Sequence, residues 1–191
     1  MATIRITGGR LKGMSITVLP GAVARYTSSK VREALFNMIG DVEGLSVLDL
    51  FAGSGSFSIE ALSRGAASAT LVEANRKMTD LIGKNLARTG LNKYCQVLHM
   101  DVRYAVPSLY GRKCMYDVIF MDPPYEMGYV TRTMTLLDEH SLRNSDTITI
   151  AEYSRRESDC LSLFEGLEGA RTRKYGDTMI SLFRNPKTPG V

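Results

Sequence analysis

Apolar and polar positions change period twice along this chain. At the start, Thr3-Ile4-Arg5-Ile6-Thr7 and Leu11-Lys12-Gly13-Met14-Ser15-Ile16-Thr17-Val18 alternate around Gly8-Gly9. Period two sends successive side chains to opposite faces, so the pattern predicts a small β-hairpin with a basic tip. Residues 19–26 read as a loop. Ser28 or Ser29 can cap a helix, and the spacing of Val31, Leu35, Phe36 and Ile39 carries it to about residue 39.

Beyond Gly44 the two periods alternate. Apolar runs predict strands at 46–51, 69–73, 96–100, 116–121 and 147–153. Helical spacing predicts helices at 57–64, 76–89, 103–109 and 129–140, the second with Met78, Leu81, Ile82 and Leu86 on its apolar face. Such alternation builds a parallel sheet covered by helices on both faces. The end departs from this rhythm: residues 170–175 and 178–184 flank Gly176-Asp177, an antiparallel hairpin signal. Residues 185–191 read as a loose tail. The expected organisation is an α/β protein. Residues 1–40 form a hairpin-and-helix extension packed on the core, 41–185 the main domain, and 186–191 the tail.

Composition narrows the class. With 44% hydrophobic and 23% charged residues the chain reads as an ordinary soluble globular protein. No apolar run approaches the ~20 residues of a membrane span, and residues 1–10 show no signal peptide. Cys95, Cys114 and Cys160 have no metal-binding spacing, so they read as free thiols in a reducing cytoplasm, and no metal site is expected. The net charge of +4 is unevenly spread. Residues 1–32 hold six bases and no acid, residues 171–187 five bases against Asp177, and the segment between is net −6. Basic ends on an acidic body suggest a surface facing phosphates.

The candidate chemistry lies at predicted strand ends. Asp122-Pro123-Pro124-Tyr125 follows the apolar run Val118-Ile119-Phe120-Met121. An exocyclic base amine is a poor nucleophile because its lone pair is delocalised into the ring. The Asp122 carboxylate and the Pro123 carbonyl can accept both N–H bonds and turn that lone pair toward an electrophile. Tyr125 can stack on the base. Pro123 and Pro124 fix φ and remove donors, leaving carbonyls to accept.

Upstream, Asp49-Leu50-Phe51-Ala52-Gly53-Ser54-Gly55 joins the first main strand to the first helix. Gly53 and Gly55 allow a tight turn and a close approach to a ligand. With Ser58 where a dinucleotide fingerprint has its third glycine, the G-x-G is incomplete. Glu73, ending the second strand, can accept ribose hydroxyls, and Asp101, after the third, an adenine amine. NAD and S-adenosylmethionine both fit an adenosine site. Asp49 favours the second, since it can hold an α-amino group but would repel a pyrophosphate.

With these motifs the chain resembles the class I, Rossmann-like, seven-stranded S-adenosylmethionine-dependent methyltransferases. More narrowly it resembles the RsmD type, which methylates N2 of a guanine in 16S ribosomal RNA. The resemblance rests on Arg5-Ile6-Thr7-Gly8-Gly9-Arg10 with Lys12-Gly13, and on Arg25-Tyr26-Thr27-Ser28-Ser29-Lys30-Val31-Arg32-Glu33. It extends through Asp49 to Gly55, Glu60 to Ala66, Val72-Glu73, Asp122 to Tyr125 and Lys174-Tyr175-Gly176-Asp177-Thr178. Tyr26 stands where the family has proline and Ser29 where it has an acid.

The resemblance implies a division of labour. Asp49 and the turn of Phe51, Ala52, Gly53 and Gly55 hold the methionine part of the cofactor. Glu73 with Ala74 holds the ribose, and Asp101 with the Val102 N–H the adenine. Arg25 and Thr27 close over the cofactor or the entering base. Asp122, Pro123, Pro124 and Tyr125 carry the catalysis. Arg5, Arg10, Lys12, Lys30 and Arg32 grip RNA phosphates. The expected partner is 16S ribosomal RNA or a small-subunit assembly particle, met by a monomer. Two alternatives share parts of this pattern: an amine methyltransferase acting on another base or a protein amide, and a non-catalytic RNA-binding ribosome-assembly factor.

Overall fold

The computed structural model describes residues 2–19, 29–157, 162 and 170–184. Most of the expected 19–26 loop, the cap at Ser28, the tail, Cys160, Arg25 and Thr27 lie outside the described residues. The first two strands, β1 (Ala2–Arg5) and β2 (Ser15–Val18), pair antiparallel with Ala2 opposite Val18. The helix α1 spans Ser29–Ile39. The main body then runs β3 (Ser46–Asp49), α2 (Ser56–Ser63), β4 (Ser68–Glu73), α3 (Arg76–Thr89), β5 (Cys95–His99), α4 (Val102–Gly111), β6 (Tyr116–Met121), α5 (Tyr129–Glu139), β7 (Arg143–Ser154), β8 (Arg171–Tyr175) and β9 (Thr178–Arg184).

The main sheet has seven strands in the order β5-β4-β3-β6-β7-β9-β8. The first five are parallel, while β9 lies antiparallel to both β7 and β8. Alternate residues face opposite layers, as period two requires. Val47, Val118, Phe120 and Ile150 join a core with α1, α2 and α3. Leu48, Ile119, Met121 and Tyr153 join a second core with α4 and α5. No helix among the described residues is long and apolar enough to cross a membrane.

Two elements differ from the sequence reading. β7 begins at Arg143, earlier than expected, and its register shifts between Tyr116 and Val118 of the neighbouring strand. Around that shift the chain bonds locally: the Asn144 N–H donates to Thr147 Oγ1 at 2.8 Å and the Asp146 N–H to Asn144 Oδ1 at 2.9 Å. The Gly8-Gly9 pair is not a bare hairpin tip. It leads into a 3-10 turn at Gly9–Leu11 that presses against the end of α2. A Cβ on Gly9 would lie 1.8 Å from the Ser63 carbonyl oxygen, so close approach demands glycine there.

That contact explains a peculiarity of α2, which is buried from Phe57 through Ser63, Glu60 included. A helix buried all round is covered on both sides. Here the sheet lies beneath, and the chain around Thr7–Leu11 lies above. Glu60, with 0% exposure, accepts from the Thr7 N–H (2.9 Å) and hydroxyl (2.7 Å), from Arg32 Nε (3.2 Å) and from Arg64 Nε (3.1 Å). Removing one partner of a buried charge network strands the others. Glu60→Ala is therefore expected to destabilise the fold by about 3–5 kcal/mol, measured by urea unfolding. A loss below about 1 kcal/mol would show that the extension is not held through this carboxylate.

Candidate active site

A cavity of about 460 Å³ opens at the carboxyl ends of β3, β4 and β6. It lies where β3 pairs with β4 on one side and β6 on the other. At that point the chain reverses its direction across the sheet and the connecting loops part, which makes room for a ligand. The volume suits a small molecule.

The chain leaves β3 still tied to both neighbours. The Leu50 N–H donates to the Phe120 carbonyl and the Ala52 N–H to the Val72 carbonyl, each at 3.0 Å. Gly53 and Gly55 follow with φ of 56° and 78°, the left-handed region that favours glycine. A Cβ on Gly55 would press to 3.2 Å from Leu71. Glu73 secures the turn: one oxygen accepts from the Gly53 N–H at 2.9 Å and the other from the Asn75 N–H at 2.7 Å.

Asp49, at the end of β3, is buried to 1% exposure. Its Oδ2 accepts from the Ser58 hydroxyl at 2.9 Å, but its Oδ1 has no hydrogen-bond partner among the described residues. Burial, opposed by the Ser58 bond and assisted by nearby Glu73, pushes the carboxyl up to about 7. A buried oxygen without a donor is costly unless something supplies one. Since Asp49 lines the cavity, a ligand can. A cationic amine fits this position best, because it both donates and favours the charged form.

Of the expected cofactor residues that are described, Asp49, Phe51, Ala52, Gly53, Glu73, Ala74, Asp101 and Val102 line the cavity. Gly55 stands behind it against Leu71 and Ile82. Asp101 caps α4 through the Arg103 N–H. Its two oxygens also face the Arg103 guanidinium at 3.0 and 3.1 Å, which holds the carboxyl below its usual range. Asp122, Pro123, Pro124 and Tyr125 line the opposite wall. The Tyr125 hydroxyl bonds Glu152 of β7 and Thr178 of β9, both at 3.2 Å. Burial, with Glu152 and Asp122 close by, pushes that phenol well up, so it stays protonated. The tyrosine ring is thus clamped by the antiparallel end of the sheet.

The geometry has parallels in known proteins. Residues 4–184 match the family described as Conserved hypothetical protein 95. The chain is 35% identical to the putative rRNA methyltransferase YlbH of Bacillus subtilis, across 95% of this chain and 98% of that one. It is 34% identical to ribosomal RNA small subunit methyltransferase D of Escherichia coli, across 78% and 74%. The structure of the putative methyltransferase yhhF from Escherichia coli superposes with a TM-score of 0.83 at 29% identity, covering 98% of this chain and all of that one.

The chain belongs to the RsmD family.

Arg32 departs from the expectation drawn from the sequence. Arg32 does not sit on an open phosphate-facing surface. It is 2% exposed, with Nε on Glu60 and its other end on the Arg5 carbonyl, because α1 packs directly over α2. It reaches the inner wall of the cavity rather than solvent. Arg5, Arg10, Lys12 and Lys30 are exposed. Arg10 lies over the Tyr94 ring, 5.7 Å from its centroid, at the amino end of β5. The cavity is at the other end of the sheet, about 16 Å away for a five-residue strand.

Other contributors were missed. Glu152 has one signal, the one charged residue in the strand run Ile148–Tyr153. Ser58 and Thr178 have none, since their partners are distant in sequence or ordinary in type. Met78 and Tyr129 also line the cavity, Tyr129 edge-on to Phe51 with centroids 5.8 Å apart.

Asp49 carries a testable pH signature. With the folded carboxyl near 7 and the unfolded one near 3.8, the ligand-free fold keeps a proton that the unfolded chain has released between those values. The associated stability is fully present below the unfolded value and falls as pH rises toward 7. Relative to Asp49→Asn, the wild type is expected to lose up to roughly 4 kcal/mol over this window, measured by urea unfolding of ligand-free protein. Parallel curves for the two proteins would mean that the carboxyl titrates normally.

Proposed function

We propose that this protein transfers a methyl group from S-adenosylmethionine to the exocyclic N2 amine of a guanine in 16S ribosomal RNA, within the RNA or a small-subunit assembly particle. The observation that carries the reading is one cavity lined both by buried Asp49, whose Oδ1 lacks a donor among the described residues, and by the Asp122-Pro123-Pro124-Tyr125 wall. The first suits the amino acid end of the cofactor, the second the amine that receives the methyl.

The residues present fit that cofactor. Asp49 would take its α-amino group and the turn through Gly53 its methionine backbone. Glu73 would take the ribose and Asp101 with Val102 the adenine. When bound, S-adenosylmethionine supplies a methyl group activated by a sulfonium. Asp101 must share its oxygens with Arg103, which is exposed and free to turn toward solvent.

The other wall handles the amine. A guanine turned out of its stack, at a cost of about a few kcal/mol, lies against Tyr125. The Glu152 and Thr178 bonds anchor the tip of that ring at the cavity wall, where it offers its face to the base. Asp122 and the Pro123 carbonyl accept from the two N–H bonds and aim the nitrogen lone pair away from themselves, toward the cofactor side of the cavity. The methyl would pass from sulfur to nitrogen, the S–C bond breaking as the N–C bond forms and a neutral thioether leaving, and Asp122 would take the one proton that the amine releases. Rate acceleration comes from orientation and from acceptors fixed before the reaction.

The decisive experiment supplies tritiated S-adenosylmethionine and small ribosomal subunits from cells lacking this gene, then identifies the labelled nucleoside. N2-methylguanosine is expected. Label in adenosine, cytidine or protein would overturn the assignment of base and atom. Asp122→Ala is expected to lower turnover by about a hundredfold or more while cofactor affinity, read by titration calorimetry, stays within about twofold. Equal turnover in the two proteins would remove Asp122 from the chemistry.

A further inference from the structure

The structure carries a row of basic side chains that the site does not use. Lys77, Lys84 and Arg88 are exposed and recur on α3 at intervals of seven and four, which puts them on one stripe of the helix. Leu81 lies beneath that stripe, buried. Asn85, on the adjoining edge of the helix, bonds both the N–H and the carbonyl of Thr17 at 2.9 Å, so β2 runs along this flank. The stripe begins beside the cavity, since Asn75, which lines it, caps α3. It spans about 17 Å from Lys77 to Arg88 at 1.5 Å per residue.

Past α3 the positive charge continues. Lys93 and Arg10 lie over the ring of half-buried Tyr94, at 5.0 and 5.7 Å from its centroid. Lys12, also exposed, belongs to the same turn of the extension as Arg10. None of these six bases is ion-paired with a described residue. The acid on the exposed side of α3, Asp80, is engaged by Arg76 at 3.2 Å.

We infer that Lys77, Lys84 and Arg88, continued by Lys93, Arg10 and Lys12 around Tyr94, form a track for the RNA backbone that leads from the mouth of the cavity to the far end of the sheet. This rests on the proposed rRNA substrate and extends it: the enzyme holds RNA well beyond the nucleotide it modifies. The charge is unpaired and linear, as a phosphate chain requires. It is carried mainly by long lysines without base-reading geometry, so the track gives affinity and orientation rather than sequence choice. A short RNA bearing only the target loop cannot reach Arg10 and Lys12, and binds more weakly than a longer one.

The test combines Lys77→Gln, Lys84→Gln and Arg88→Gln, substitutions on an exposed helix face by another helix former. A control changes Arg112→Gln and Lys113→Gln at the end of α4, on the other face of the sheet. Binding of fluorescein-labelled, deproteinised small-subunit rRNA is followed by anisotropy across a salt series. The triple variant is expected to bind about tenfold more weakly near physiological salt, with the salt slope reduced by about two to three. Its unfolding midpoint and its affinity for S-adenosylmethionine are expected to match the wild type.

An unchanged slope, or an equal loss per charge in the control, overturns the track. Unchanged binding to naked RNA with weakened binding to the assembled subunit would assign the stripe to a protein, which also overturns it. If the wild type binds RNA through the stripe yet methylates no rRNA, the track stands and the proposed reaction falls. If the wild type binds no RNA, both fall.

Discussion

The buried carboxylate of Glu60 is the contact on which the arrangement of this molecule depends. It sits in the middle of α2, whose start is the glycine turn facing the cavity and whose end meets the Gly8-Gly9 segment. Through Thr7 it holds the extension, through Arg32 it holds α1, and through Arg64 it holds its own helix end. Burying a carboxylate is unfavourable unless its lone pairs are filled and its charge matched. Two arginines and three further donor contacts from Thr7 fill that requirement here. A residue that looks like one solvated acid on a helix is thus the joint between three layers.

Asp49 is the opposite case, upstream at the end of β3, before the same helix begins. It too is fully buried, yet one oxygen lacks a donor and its carboxyl rises to about 7. The protein could have satisfied it with another hydroxyl, as Ser58 does for the other oxygen. Leaving it open costs the empty fold stability and reserves the position for a charged ligand, whose binding recovers the lost interaction. Contrast between the two carboxylates separates framework from site more sharply than burial does, since burial is the same for both.

Much of this was legible in the sequence because the relevant patterns are local. Strand alternation gave the parallel sheet and the antiparallel end, and the cavity residues fall at strand ends where acids and glycines interrupt apolar runs. The misreadings share a cause: a partner distant in sequence. Arg32 looked like a phosphate contact because nothing near it reveals Glu60, 28 positions away. Gly8-Gly9 looked like an ordinary hairpin tip because its neighbour Ser63 lies across the fold. Glu152 was overlooked because its link to Tyr125 depends on the register of β7 against β6, which no local pattern states. Even the early start of β7 hides behind Asn144 and Thr147, whose side chains accept from the Asp146 and Asn144 N–H groups and imitate a turn within the strand.

Charge is divided in a way that follows from what each region must hold. Asp49, Glu73, Asp101 and Asp122 ring the cavity, which suits a cationic cofactor and a base amine but repels phosphates. An enzyme that brings RNA to such a cavity needs its positive charge elsewhere, near enough to guide the strand and far enough not to be cancelled. Screening sets that distance, since exposed charges separated by more than about 8 Å at physiological salt hardly sense one another. Lys77 stands close to the acidic rim, whereas Arg88, Lys93 and Arg10 lie beyond that range along α3 and the extension. A net charge of only +4 therefore understates the local attraction for a polyanion, because the four cavity acids and the exposed bases along α3 lie on separate parts of the molecule.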